Sequence, residues 1–213
     1  MTLIQIPTEQ TTAVTDLLIC VLAIAGVTFL RRRGPLGLRG LLWRAVFQFL
    51  AIAGLLGGIA HGLLLDEKIY TVVWWGTYLA LSLLIAAFFL ATARDLWGDD
   101  IARALSMPTA IIAIGFFGYF ILHPDSFLPF ILYESAVMLF ALMAFFWLTW
   151  QRRLQGSAWI AASIAVNIVA AIIQATGTVS FTVIWSFDHN GAFHLVQITG
   201  IALLLLGLRR TPA

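Results

Sequence analysis

The chain has 213 residues, 62% of them apolar and 10% charged, with a formal net charge of +2 and a mean hydropathy of +0.99. Soluble domains carry roughly 25% charged residues, so this composition excludes a water-soluble globular protein and predicts an integral membrane protein. A single cysteine, Cys20, excludes a disulfide framework within the chain, and the basic residues are grouped at intervals rather than along one nucleic-acid-binding face.

The polar start MTLIQIPTEQTTAVTD has no basic segment before its apolar run and no small-residue cleavage site before Arg31, so the first run reads as a span of the mature protein. A span needs about 20 consecutive apolar residues. Runs of that kind predict seven transmembrane helices, at 13–30, 41–65, 69–93, 101–122, 127–150, 157–177 and 187–208. They are separated by RRRGPLGLRG, DEK, RDLWGDD, HPDS, QRRLQG and TGTVSFTVIWSFD, none long enough for a soluble domain. The predicted architecture is all-α: a single seven-helix polytopic bundle over residues 1–213.

Basic residues set its orientation, because cytoplasmic connections retain Arg and Lys. Arg31, Arg32, Arg33, Arg39 and Arg44 flank the first connection, Arg94 and Arg103 the third, Arg152 and Arg153 the fifth, and Arg209 and Arg210 the tail. The opposite connections hold Asp66, Glu67 and Lys68, then His123 and Asp125, then Asp188 and His189. The amino terminus is therefore expected outside and the carboxyl terminus in the cytoplasm. Arginine in place of lysine, with abundant alanine, points to a bacterial cytoplasmic membrane.

The polar residues inside the spans fall in the outer half: Asp16 in helix 1, His61 near the end of helix 2, Glu134 in helix 5, Gln174 late in helix 6, and His194 and Gln197 early in helix 7. An ionised group at the bilayer centre costs about 2.5–3.5 kcal/mol on insertion scales, so such groups turn inward toward one another. Asn190, His194 and Gln197 recur at i, i+4 and i+7, one helical face; Ser163, Asn167 and Gln174 share a face on helix 6. Gly54, Gly57 and Gly58 beside His61 form a small-residue stripe that admits a neighbouring backbone. Together these predict a polar chamber lined by helices 1, 2, 5, 6 and 7. A plainer reading stands beside each residue: Gln48, Asn167 and Gln174 as interhelical glue, Asp16 as an anion at a helix amino terminus, and His123 as a loop residue. Trp43, Trp74, Trp75, Trp97, Trp150, Trp159 and Trp185 read as interfacial anchors, and Pro108 and Pro129 as residues near helix starts.

Histidines with an open coordination position suit zinc, whose bound water becomes a nucleophile near neutral pH. His61 and His194 would supply two ligands, and His189, Asp16, Glu134 or Asn190 a third. His189 and His194 are five apart and share no face of a continuous helix, so His189 joins them only if helix 7 starts after it, with Asp188 or Asn190 as cap. A histidine late in helix 2 and the stretch DHNGAFHLVQ opening helix 7 resemble the CREST superfamily: alkaline ceramidases, adiponectin and progestin receptors, and hemolysin-III-like proteins. The stretch looks more closely like the helix-7 signature of a small seven-span family, a distant branch of that group. The resemblance implies zinc on His61 and His194 within a membrane-embedded lipid amide or ester hydrolase. The chain departs from that pattern at Asn190 and Gly57, where the superfamily has His and Ser. Helix 3 also lacks a carboxylate before Asp95, leaving Asp66 as the nearest acid.

Three functions follow from these residues. One is a zinc-dependent hydrolase of a lipid amide or ester, with Glu134, Asp16 or Asp188 as base or orienting group. The second is a non-catalytic binding protein or sensor for a lipid-like or small molecule, held by Asn190, Gln197, Gln174 and Asp66; the third is a transporter or proton relay. Membrane lipid is the expected partner, without nucleic acid. Retinal is not expected, since the only lysine, Lys68, lies in a predicted connection, and neither is a nucleotide, since no Gly-rich phosphate loop occurs.

Overall fold

The computed structural model describes residues 2–33, 37–123 and 128–211. Seven helices carry the fold: α1 (Pro7–Arg31), α2 (Leu38–Gly62), α3 (Glu67–Trp97), α4 (Asp99–Leu122), α5 (Leu128–Trp150), α6 (Ser157–Thr176) and α7 (His189–Arg210). All seven are long and apolar enough to span a membrane. Even the shortest, α6 with 20 residues, reaches about 30 Å at ~1.5 Å per residue, the thickness of a hydrocarbon core.

Helix boundaries differ from the sequence reading mainly at α1 and α2. Helix α1 starts at Pro7, six residues before the expected span, because a proline at the first helical position is already set at helical φ and lacks the N–H that would go unpaired. Helix α2 stops at Gly62, and Leu63–Leu64 (β2) pair instead with Thr2–Leu3 (β1) in an antiparallel ladder. The segment before α7 forms a second ladder, Phe181–Thr182 (β3) with Ser186–Phe187 (β4). The all-α, seven-helix expectation is met, with two ladders of two residues per strand added to it. Lys68 and Asp66 also move: Lys68 lies in the first turn of α3, and Asp66 caps that helix by accepting from the Lys68 amide at 3.0 Å. Pro108 sits inside α4 rather than near its start. The connections at 34–36 and 124–127, with Asp125 and the first residue of the fifth expected span, lie outside the described residues.

The helices close a ring in the order α1, α2, α3, α5, α6, α7 and back to α1, with α4 packed outside against α3. Gly98, φ +96°, is the single residue between α3 and α4. That conformation is open to glycine almost alone and lets one helix turn directly into the next. Helix α4 reaches α5 through stacked rings, Phe116 on Tyr133 with centroids 4.4 Å apart.

Glycines set the two tightest helix pairs. A β-carbon at Gly54 would lie 2.8 Å from the Asp16 carbonyl oxygen, so α1 and α2 touch backbone to backbone. On the other side of the ring Ser163 donates to the Gly200 carbonyl at 2.7 Å, and Gly207 packs against Ile160. Phe47, Phe145, Leu148 and Ile164 belong to one buried apolar core.

One end of the bundle is held by charge. Arg39 grips Asp95 with two bonds, Nε to Oδ1 at 2.6 Å and a second amino group to Oδ2 at 2.9 Å, and also donates to the Thr211 hydroxyl at 2.8 Å. The Trp43 indole donates to the same Asp95 carboxylate at 3.2 Å. Trp43 is therefore fully buried and not an interfacial anchor, its N–H having a partner inside. Arg33 adds bonds to the Leu208 carbonyl at 2.8 Å and the Thr211 carbonyl at 3.0 Å.

Candidate functional site

At the opposite end from the Arg39–Asp95 cluster, the ring encloses a cavity of about 330 Å³. Each ring helix contributes to its wall: Asp16 from α1, Gly57 and His61 from α2, Trp74, Thr77 and Tyr78 from α3, Phe130 and Glu134 from α5, Gln174 from α6, and Asn190, Phe193, His194 and Gln197 from α7. The sequence reading placed five helices around this chamber; α3 is the missing sixth. A smaller lobe of about 100 Å³ adjoins it, sharing Glu134, Phe193 and Gln197 and otherwise lined mainly by apolar side chains such as Phe88, Met138 and Ile164.

Asp16 belongs to the third turn of α1, not the first, since the helix begins at Pro7. Only 7% exposed, it is too deep to be an interfacial residue at the helix terminus. Its carboxylate fits directly over Gly57, where a β-carbon would come within 2.8 Å of Oδ2. The missing side chain at position 57, which departs from the CREST pattern, is what makes room for the acid. Oδ1 faces the His194 Nε2 at 3.4 Å, longer than the ~2.7–2.9 Å of a strong charge-assisted bond. Oδ2 has no hydrogen-bond partner among the described residues.

His194 is held from its other side. Its Nδ1 lies 3.0 Å from the Thr15 hydroxyl, which also reaches the Thr12 carbonyl at 2.9 Å. The order hydroxyl, imidazole, carboxylate has the chemistry of an acyl-transfer triad, but Thr15 is only 3% exposed and does not line the cavity. Its hydroxyl orients the ring. His61 pairs with a residue that the sequence reading left in the polar start: its Nδ1 stands 2.7 Å from Glu9 Oε2, and its ring meets Trp74 edge-on at 5.6 Å. Pro7 was the available signal, since a helix starting there puts Glu9 in the first turn facing the end of α2. Trp74 is accordingly part of the wall rather than a belt residue.

Glu134 makes no hydrogen bond or ion pair among the described residues, although it borders both lobes. No arginine or lysine lines either lobe. On α7, Asn190, His194 and Gln197 all reach the cavity. His189, Asp188 and Asp66 do not line it. Asp188 is the cap of α7, accepting from the Gly191 amide at 3.0 Å and from the Thr12 hydroxyl at 3.4 Å, and α7 starts at His189 itself. Among the described residues, no group of three or more His, Cys, Asp or Glu side chains is placed to hold a metal ion. The Nδ1 of each histidine faces a protein group, the Thr15 hydroxyl for His194 and the Glu9 carboxylate for His61, and Asp16 stands 3.4 Å from the His194 Nε2.

Residues 11–212 match a family model described as a family of unknown function (DUF6962). The chain belongs to this family. The match takes in the six ring helices, α1 from residue 11 onward, and the flanking α4, so every residue lining the chamber lies within it. No curated protein and no solved structure matches the chain.

Proposed function

We propose that this member of the family is an integral membrane protein, amino terminus outside and carboxyl terminus cytoplasmic, that binds a lipid-like small molecule in the ring cavity without transforming it. The observation that carries the reading is the cavity of about 330 Å³ whose wall gathers Asp16, Glu134, His61 and His194 with three amides. A membrane protein that needed only a packed interior would fill this volume with apolar side chains, because polar groups in lipid are stabilising only when paired. His61 and His194, which carry the CREST resemblance, share this wall and support a lipid-like occupant. Among the described residues the hydroxyl bonded to an imidazole, that of Thr15, is buried behind the ring rather than at the cavity, which favours binding over acyl transfer to a side chain. A bacterial cytoplasmic membrane is supported by the Arg-rich, Lys-poor composition.

Orientation is tested by thiol labelling of intact cells, with Cys20 buried and silent. Ile184→Cys, at the exposed turn of the β3–β4 hairpin, is expected to react with a membrane-impermeant maleimide, and Arg152→Cys only after permeabilisation. The reverse pattern would invert the topology.

Binding is tested by native mass spectrometry of protein released from nanodiscs, with metal analysis of the same samples. The wild type is expected to retain a small-molecule adduct that Leu84→Trp, which fills the cavity wall, loses. An adduct unchanged in Leu84→Trp, or none in the wild type, would remove the binding reading. Near-stoichiometric zinc lost in both His61→Ala and His194→Ala would replace it with a metal-dependent hydrolase.

A further inference from the structure

The two lobes differ from an ordinary apolar ligand pocket in their charge. Each imidazole on the wall already has a carboxylate of its own: Glu9 stands against His61 at 2.7 Å and Asp16 against His194 at 3.4 Å. A proton taken up by either ring is balanced by its own partner. Glu134 remains, with no hydrogen bond or ion pair among the described residues and no arginine or lysine on the walls it borders. The cavity therefore has room for one added positive charge beside Glu134, and the free Oδ2 of Asp16 offers a second acceptor on the same wall.

The surroundings of Glu134 favour an organic cation over a hydrated metal ion. On α5, Phe130 precedes Glu134 by four residues and Val137 and Met138 follow it by three and four, so one helical face presents a ring, a carboxylate and then apolar side chains. Phe130 lines the larger lobe with Tyr78 and Trp74, while Val137 and Met138 line the smaller one. Aromatic faces attract ammonium groups through their quadrupole, most strongly where water is excluded. Among the described residues, the lobe beyond Glu134 offers Ser163, Asn167 and Gln197 as its further polar groups, and Ser163 already donates to the Gly200 carbonyl.

We infer that the chamber's ligand is an amine: an ammonium group held at Glu134 and against the Trp74, Tyr78 and Phe130 rings, with its apolar portion in the smaller lobe. The inference rests on the binding reading proposed above and adds the charge class of the occupant. The amine binds as the ammonium ion, so no bond is made or broken. Amide side chains from Asn190 and Gln197 remain to accept or donate to polar substituents.

The test is isothermal titration of the full chain in nanodiscs with phenethylamine and its neutral counterpart 2-phenylethanol, repeated on Glu134→Gln and on the cavity-filling Leu84→Trp. Phenethylamine is expected to bind the wild type at least about tenfold more tightly than the alcohol, the ratio that one charge-assisted hydrogen bond supplies. Glu134→Gln is expected to remove that preference, and its unfolding temperature serves to show that it folds. Equal affinities in the wild type, or a preference that survives in Glu134→Gln, overturn the inference. If the two probes bind the wild type equally and neither binds Leu84→Trp, the binding reading stands while the amine assignment falls. If neither probe binds the wild type, the amine inference is overturned, and the adduct experiment decides the binding reading separately.

Discussion

Replacing Asp95 with alanine is expected to destabilise the protein by about 3–5 kcal/mol, the cost of removing one partner of a buried ion pair. The carboxylate is fully shielded from solvent, and four donors converge on it: two from Arg39, one from the Trp43 indole and, at 3.4 Å, one from Arg94. Without it the guanidinium of Arg39, itself only 12% exposed, loses both of these bonds, while its bond to the Thr211 hydroxyl remains. At ~2–4 °C per kcal/mol for a chain of this size, the midpoint of thermal unfolding in detergent should fall by roughly 6–20 °C. Arg103→Gln is the contrast. Its contacts to Asp99 and Asp100 are 3.9 and 4.0 Å long and its side chain is 66% exposed, so its loss should cost about 0–1 kcal/mol. Equal effects of the two substitutions would show that the Asp95 cluster does not hold α2 to α3.

Gly54→Val is expected to separate α1 from α2 and to cost the protein both stability and its cavity geometry. The first added carbon would meet the Asp16 carbonyl oxygen at 2.8 Å and the Cys20 amide nitrogen at 3.0 Å. Both are backbone atoms, so relief comes only from moving a whole helix. Overpacking in a well-filled core costs about 1–3 kcal/mol, and this site has no flexible side chain to yield. Because α1 carries Glu9, Thr15 and Asp16, the same displacement lengthens the contacts to His61 and His194, which are now 2.7 Å, 3.0 Å and 3.4 Å. Loss of phenethylamine binding together with a lowered unfolding midpoint is the expected result. Gly115→Ala, where an added carbon meets nothing within 4 Å, should leave binding intact and raise helix stability by ~0.5–1 kcal/mol. Normal binding by Gly54→Val would refute the link between helix spacing and the site.

The seven helices were readable because each apolar run is long and each break carries charges, glycine or proline. The two ladders were not, since strands of two residues have no alternation to read. Within the cavity, the polar contributors Asp16, His61, Glu134 and His194 stood out against lipid-facing neighbours, and their depth and facing were legible from spacing. The α3 contribution was not: Trp74, Thr77 and Tyr78 are residue types that serve equally as belt anchors and as core, and only the ring order decides between them. Glu9 was hidden for a different reason. A polar stretch of Thr, Glu and Gln ahead of a span looks like an extended tail, and placing Glu9 required reading Pro7 as a helix start. Asp188 was legible as a cap but not as a bystander, because its sequence neighbourhood with His189 and His194 says nothing about which side of α7 faces inward.

Arg33 and Arg39 follow the first helix and open the second, yet the Leu208 and Thr211 groups they bind lie at the end of the seventh. A ribosome delivers these two halves of one clasp about 170 residues apart, and at ~5–20 residues per second the guanidiniums wait on the order of ten seconds or more for their acceptors. During that interval Arg39 has Asp95 to hold it, whereas Arg33 has the Phe29 ring of α1. The seventh helix is therefore the piece that closes the ring in time as well as in space, and a nascent chain lacking it leaves the cavity open along the α1 and α6 flanks.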